Sequence, residues 1–224
     1  MSSPRLPALV TAAADSRAGH VARTIVSRTL GGRPRVVRVL SGVARGARLE
    51  LDLGLEKAYW IGHYEAESQA FLQAHLKPGD VVYDVGAHHG FFSVCAARLG
   101  ATVVAFEPAA ENVERIRRQA RLNVARIEVV EAAVWDSDSG VALHSGGSSS
   151  EWTATEGGLV RSVTIDEFAA TSRPPDFVKI DAEGAESRVL RGATRVLERF
   201  RPTVLCECHG DPARDEVVGL LTGY

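Results

Sequence analysis

The sequence predicts an α/β fold, a mostly parallel sheet covered by helices on both faces. Three observations lead there. From residue 81 onward, short β-rich runs alternate with longer segments of helical periodicity, the pattern of successive βαβ units. The run Val81-Val82-Tyr83-Asp84-Val85 feeds a short loop bracketed by Gly86 and Gly90, and an apolar helical run follows at once. That is a strand, a tight turn and a helix N-terminus, where α/β sheets bind ligands. Residues 177–180 are continuously apolar except for Lys179, as expected of a strand buried on both faces. At 224 residues, with 45% hydrophobic and 24% charged residues, the chain suits one such domain with an appended element.

Residues 1–34 read as a helical leader, with Val21, Ile25, Val26 and Leu30 at apolar positions and Gly31, Gly32 and Pro34 closing it. Residues 1–48 hold nine arginines against the single acid Asp15, whereas the whole chain nets −2. A basic leader of this kind suits an anionic partner, a membrane surface or an organellar transit peptide. Its apolar positions favour a helix docked on an acidic body. Residues 35–40 and 47–53 are β-rich, joined through Gly42 and Gly46, and the second alternates from Leu49; together they predict a hairpin with one dry face. This sets an N-terminal part at 1–53 against a main domain at 54–224. Residues 59–63 lead into a helix at 64–76, and Pro78-Gly79-Asp80 turns into the first core strand.

The main domain continues as strand 81–85, helix 90–99 stopped by Gly100, strand 102–106 and helix 109–122. Arg115, Arg117, Arg118 and Arg121 read as a solvated face of that last helix; no aromatic residues are interleaved to stack on nucleic-acid bases. Strand 127–131 follows. A turn at 135–140 then leads to a short strand at 141–144, a polar mobile loop at 146–150, a strand at 161–165 and a short helix from Asp166. Apolar residues at 185, 189, 190, 193, 196 and 197 predict one helix over 184–199. Strand 203–208 and a helix from Pro212 finish the chain.

The chemistry concentrates around the first strand. The spacing from Asp84 is D-x-G-x-x-x-G, and His88 stands where a dinucleotide fingerprint needs its second glycine, which argues against an NAD enzyme. Glu107 ends the second strand, 23 positions after Asp84. A carboxylate there can accept hydrogen bonds from both hydroxyls of a nucleoside ribose. The glycines remove Cβ atoms where a ligand would press on the backbone. Cys95, Cys206 and Cys208 are odd in number and lack zinc-ligand spacing, no apolar run reaches membrane-span length, and no signal peptide opens the chain. A reduced, cytoplasmic setting follows as the expectation.

Several ordered motifs together resemble the FkbM family of methyltransferases, a branch of the S-adenosylmethionine-dependent class with a Rossmann-like three-layer sandwich. They are Trp60-Ile-Gly-His-Tyr-Glu65, Gly79-Asp-Val-Val-Tyr-Asp-Val-Gly-Ala-His-His-Gly90, Ala105-Phe-Glu-Pro108, Ala132-Ala133, Thr164-Ile-Asp-Glu-Phe168, Lys179-Ile-Asp-Ala-Glu-Gly-Ala-Glu186, Arg201-Pro and Glu207-Cys-His209. The resemblance implies S-adenosyl-L-methionine as cofactor. Asp84 would lie near its ammonium, Gly86, Ala87, His88 and Gly90 along its methionine part, and Glu107 with Pro108 at the ribose. Ala132 and Ala133 would lie against the adenine, and Glu65 would fold over the cofactor.

The acceptor implied is a small-molecule hydroxyl on a sugar, glycolipid or polyketide, with no nucleic-acid partner and no membrane span. Candidates for the transfer step stand at the carboxyl ends of strands: Asp181, Glu183 and His209. A helix cap explains Asp181 equally simply, and helix-dipole complementation explains Glu183 and Glu186. No metal is assigned, since the spacing singles none out. A non-catalytic nucleoside-binding protein stays open as an alternative. Members of the family often carry Asn and an apolar residue at the positions of His88 and His89. They also usually continue past the final Gly-Tyr, adding an antiparallel strand pair. Without that pair, strand 203–208 is expected at a sheet edge, covered by the 35–53 hairpin or by a second copy of the chain, and self-association is the favoured expectation.

Overall fold

Every residue of strand β4 (Val81–Val85) is buried, and the rest of the molecule is layered around it. The computed structural model describes residues 8–12, 32–145, 152–209 and 211–224. Besides β4, the central sheet contains β1 (Ala8–Ala12), β5 (Thr102–Phe106), β6 (Ile127–Val130), β11 (Phe177–Ile180) and β12 (Thr203–Cys208), in the order β1-β12-β11-β4-β5-β6. All five pairings are parallel. The expected parallel α/β sheet is therefore present.

Side chains alternate across β4 and split the core into two layers. Val81, Tyr83 and Val85 join Phe106, Ile180 and Val204 against helices α6 (Glu186–Arg191), α7 (Thr194–Phe200) and α8 (Asp211–Leu221). On the other face, Val82, Val103 and Leu205 pack with Leu72 of α2 (Ala66–His75) and with Phe92, Val94 and Cys95 of α3 (Phe91–Arg98). Three layers result. Asp84 and Lys179 are direct cross-strand neighbours, so a buried acid faces a buried cation in the middle of the sheet.

The hairpin is confirmed as β2 (Arg35–Arg38) and β3 (Arg48–Leu51), antiparallel, with Leu49 and Leu51 forming its dry face. Its outer edge is satisfied by side chains of α4 (Ala110–Asn123). Gln119 Oε1 accepts from the Glu50 N–H and Gln119 Nε2 donates to the Glu50 carbonyl; Asn123 does the same for Arg48. Two amides four residues apart on a helix thus stand in for a neighbouring strand.

Four expectations need correction. The leader predicted as helix over 1–34 lies mostly outside the described residues, and within it residues 8–12 are strand. That strand pairs along the whole of Val204–Cys208, so the edge of β12 is covered from within the chain. Neither the hairpin nor a second copy is needed to close it. The helix predicted over 184–199 is broken into α6 and α7 at Gly192 and Ala193. A Cβ on Gly192 would stand 2.2 Å from the Trp135 carbonyl oxygen. Asp166 then caps the new N-terminus, accepting from the Arg195 and Val196 N–H groups at 3.0 and 2.9 Å.

The turn after residue 134 opens an extra hairpin, β8 (Val141–Ser145) with β9 (Trp152–Glu156), and β9 had no counterpart in the sequence reading. The predicted loop at 146–150 lies outside the described residues. Lastly, the arginines of α4 are not merely solvated. Arg115 reaches Glu56 at 2.6 Å, Arg117 reaches Glu114 at 2.6 Å, and Arg118 reaches Glu50 at 3.3 Å.

The remaining elements are α1 (Lys57–Ile61), α5 (Ile165–Thr171) and a two-residue pairing of β7 (Ala133–Val134) with β10 (Ser162–Val163). Thr164 caps α5 by accepting from the Glu167 N–H at 3.0 Å. The three cysteines are free and buried. No helix among the described residues is long and apolar enough to cross a membrane.

Candidate active site

A cleft of about 830 Å³ opens at the carboxyl ends of β4, β5 and β11, a volume suited to a ligand of nucleoside size or larger. Its floor is the loop after β4. Gly86, His88 and Gly90 all have positive φ, at 74°, 49° and 77°. The Gly86 and Ala87 N–H groups both donate to the Phe106 carbonyl at 3.1 Å, which draws the loop towards the end of β5. The glycines serve the protein's own packing: a Cβ on Gly86 would stand 1.8 Å from the Asp181 carbonyl oxygen, and one on Gly90 would stand 3.2 Å from Ile116. Close element-to-element approach, more than ligand pressure, therefore excludes a side chain there.

Glu107 sits at the end of β5, buried and on the lining. Its Oε2 accepts the His88 N–H at 2.8 Å, and Oε1 accepts the Ala109 N–H at 3.0 Å and Asn112 Nδ2 at 3.3 Å. Burial pushes its carboxyl above the usual range, and those three donors pull it back. A carboxylate oxygen takes about two donors. Oε1 is therefore filled, and Oε2 keeps one direction free. One ribose hydroxyl fits there directly; a second has to displace the long Asn112 bond. Pro108, Ala132, Ala133, Val134 and Trp135 line the same wall. Two buried polar atoms of lining residues, His88 Nε2 and Trp135 Nε1, have no protein partner among the described residues. Buried polar atoms normally have partners, so these point to a polar ligand.

Asp84 does not reach the lining. It is fully buried below the loop, where Oδ2 accepts from Ser93 Oγ at 2.5 Å and Oδ1 has no hydrogen-bond partner among the described residues. Burial raises its carboxyl, with Lys179 and Ser93 opposing. Glu65 and Ala87 border a smaller adjoining recess together with Lys179, Tyr59, Tyr64 and Asp181. Tyr59 and Tyr64 stack at 4.1 Å over this recess.

Lys179 is the hub that the sequence reading passed over. Its Nζ lies 2.9 Å from Asp181 Oδ2. Burial works against its charge, but Asp181, Glu65 and Asp84 together hold it cationic. A lone lysine in an otherwise apolar core strand was the available signal, because a fully buried lysine is almost always paired. Glu207, on the neighbouring strand, belongs to the same group. Burial, with Asp181 and Glu65 nearby, pushes it up to about 7.

The three residues predicted for the transfer step are brought together. Asp181 and Glu183 line the cleft after β11, and His209 follows β12. His209 Nε2 lies 3.2 Å from Glu183 Oε2 and 3.7 Å from Asp181 Oδ1, while its Nδ1 lies 2.9 Å from Glu186 Oε1. Its bond to Glu186, then Glu183 and Asp181, push it up to about 9. The opposite wall carries Glu50, Asp52, Leu55, Glu56, Arg115 and Arg118. The hairpin, the segment that follows it and α4 thus supply polar groups that the sequence reading had placed outside the site.

A parallel sheet with a glycine-turned loop after β4, a buried carboxylate after β5 and acids at the ends of β11 and β12 has the Rossmann-like form of a nucleoside-cofactor-binding fold. The family follows from comparison: the methyltransferase FkbM domain matches residues 84–221, and the chain belongs to that family. It is a methyltransferase family that uses S-adenosylmethionine, and the Glu107 wall and partnerless polar atoms described above fit that cofactor. Hexuronic acid methyltransferase AglP of Haloferax volcanii is 26% identical over 206 residues, covering 88% of this chain and 84% of AglP. The crystal structure of methyltransferase FkbM from Methylobacillus flagellatus superposes with a TM-score of 0.51 at 19% identity, covering 66% of this chain and 38% of that one. The chain thus spans well under half the length of that FkbM protein, and the likeness concerns the fold.

Proposed function

We propose that the chain methylates a hydroxyl of a sugar or sugar conjugate, sugar acids included, in the cleft between Glu107 and the Asp181–Glu183–His209 cluster. One observation carries this reading: the candidate ribose acceptor Glu107 and the candidate proton acceptors Asp181 and Glu183 line a single cleft, at the ends of the two parallel strands that flank β4. The similarity to AglP, named for a hexuronic acid, supports a sugar acceptor. So does the polar wall of Glu50, Asp52, Arg115 and Arg118, whose donors and acceptors suit a polyol.

Bound S-adenosylmethionine supplies a methyl group on a sulfonium, transferred by in-line displacement. The protein's part is alignment and proton handling. Glu107 Oε2 would accept a ribose hydroxyl of that cofactor, and Ala132 and Ala133 would border its adenine. The loop Gly86–Gly90 and the recess at Glu65 would flank its methionine part, with Asp84 acting through the buried network beneath. Lys179 fixes Asp181 by its Oδ2 and leaves Oδ1 on the cleft side towards His209. That oxygen accepts the acceptor's hydroxyl proton, and Glu183 holds the hydroxyl in line.

The test is transfer of a labelled methyl group to a panel of uronic-acid and neutral-sugar glycosides, with wild type and Asp181→Asn. Labelled ether product from a sugar hydroxyl is expected. In the variant, kcat should fall by 10²-fold or more while cofactor affinity stays within a few-fold. Methyl ester formation, or an unaffected Asp181→Asn, would contradict the reading.

A further inference from the structure

The β2–β3 hairpin gathers arginines at one end, away from its dry face. Residues 32–48 hold five arginines and no acid, and the residues before them bring only Asp15 as a counter-charge. The strand register sets Arg38 directly opposite Arg48, on the face turned away from Leu49 and Leu51. Arg38 Nη1 donates to the Gly46 carbonyl at 3.4 Å. Arg98 Nη2, reaching across from α3, donates to the Arg45 carbonyl at 2.6 Å. Four arginines thus meet around the 45–46 turn, and none of them pairs with a carboxylate among the described residues. Like charges directly opposite one another weaken an antiparallel pair. On α4, by contrast, Arg115, Arg117 and Arg118 each have an acid within reach. The hairpin end is therefore a concentration of positive charge that the protein leaves uncompensated.

Apolar side chains border it. Val36 and Leu40 are 47% and 56% exposed, and Ile61 of α1 is 41% exposed. The Leu40 N–H donates to the Trp60 carbonyl at 2.9 Å, and Ser41 Oγ donates to the Ile61 carbonyl, so the end of α1 lies alongside. These exposed residues are aliphatic and offer no ring for a base to stack on, which disfavours nucleic acid. Arginines interspersed with exposed aliphatic side chains suit the headgroup region of a bilayer, where phosphates meet the guanidinium groups and the apolar groups enter the interface.

We infer that this end of the hairpin, Arg38, Arg45, Arg48 and Arg98 with Val36 and Leu40 beside them, docks the protein on an anionic lipid surface. Pro34, Glu50 and Asp52, from the hairpin and the residues flanking it, line the cleft. Docking would hold that cleft beside the bilayer, where a lipid-linked sugar presents its hydroxyls. That choice of acceptor rests on the methyl-transfer reading above; the docking itself does not.

The experiment is co-sedimentation of the full chain with vesicles of phosphatidylcholine containing about one-third phosphatidylglycerol, without cofactor or acceptor. Binding is expected there, weakening as salt is raised, and none to phosphatidylcholine alone. One arginine near an anionic leaflet is worth about a fivefold factor in partitioning, so Arg38→Gln combined with Arg48→Gln should bind roughly 25-fold more weakly. The melting temperature of that double variant should not fall, because a like-charge pair has been removed. Val36→Ser should bind more weakly by a margin that persists at high salt. No binding to the anionic vesicles, unchanged binding by the folded double variant, or tighter binding to a duplex oligonucleotide than to the vesicles would overturn the inference. Because neither cofactor nor acceptor is used, failure here is distinct from failure of the methyl-transfer reading.

Discussion

Gly86 and Asp181 touch through their backbones, so closely that a Cβ on Gly86 would stand 1.8 Å from the Asp181 carbonyl oxygen. The cofactor loop and the candidate base are therefore one mechanical unit. The Asp181 N–H adds to it by donating to the Val85 carbonyl at 3.1 Å. Gly86→Ala places a side chain both at φ 74° and against a backbone atom. Strain and overpacking together should cost on the order of 2–5 kcal/mol in a denaturant titration. A wild-type midpoint in that variant would show that the contact is not tight.

Residues 8–12 close the edge of β12. A chain lacking residues 1–12 should expose that edge and self-associate, seen as a scattering mass that rises with concentration while the full chain does not change. Equal behaviour of the two would mean that β1 contributes nothing to edge protection.

His88 gives the pH dependence a definite sign. Burial first, then Arg115 and Lys179, lower it to about 4. The unfolded chain takes up this proton near the ordinary histidine value of about 6.5, and the native state does not until much lower pH. Between those values the unfolded state binds more protons, so stability falls as pH falls. From pH 7 to pH 5 the loss due to His88 should be on the order of 1–2 kcal/mol. His88→Asn keeps a residue that tolerates φ 49° and should flatten that limb of the melting-temperature profile. An equally steep limb in the variant would assign the effect elsewhere.

What was legible in the sequence was local. The strand, loop and helix around Asp84 announce themselves within a dozen residues, and Glu107 follows from the end of the next strand. The β2–β3 hairpin shows in its own alternation. What stayed hidden depended on partners far away in the chain. Residues 8–12 form a strand only because the edge of β12 is there to pair with. The break at Gly192 is imposed by the Trp135 carbonyl, which helical periodicity cannot register. Arg115 looked solvated because its partner Glu56 lies 59 residues earlier in the chain. Asp181 was ambiguous between cap and function and Glu183 between helix-dipole complementation and function; their convergence with His209 is a property of parallel strands ending side by side.

The central claim, a nucleoside cofactor held at Glu107, is tested most directly by calorimetric titration with S-adenosylhomocysteine, the demethylated product. Wild type should bind it and show no heat with NAD. Glu107→Ala, with its fold checked by circular dichroism, should bind roughly 10- to 150-fold more weakly, the loss of about 1.5–3 kcal/mol expected for a charged hydrogen-bond acceptor. Undiminished affinity in the folded variant, or binding of NAD in preference, would contradict the account.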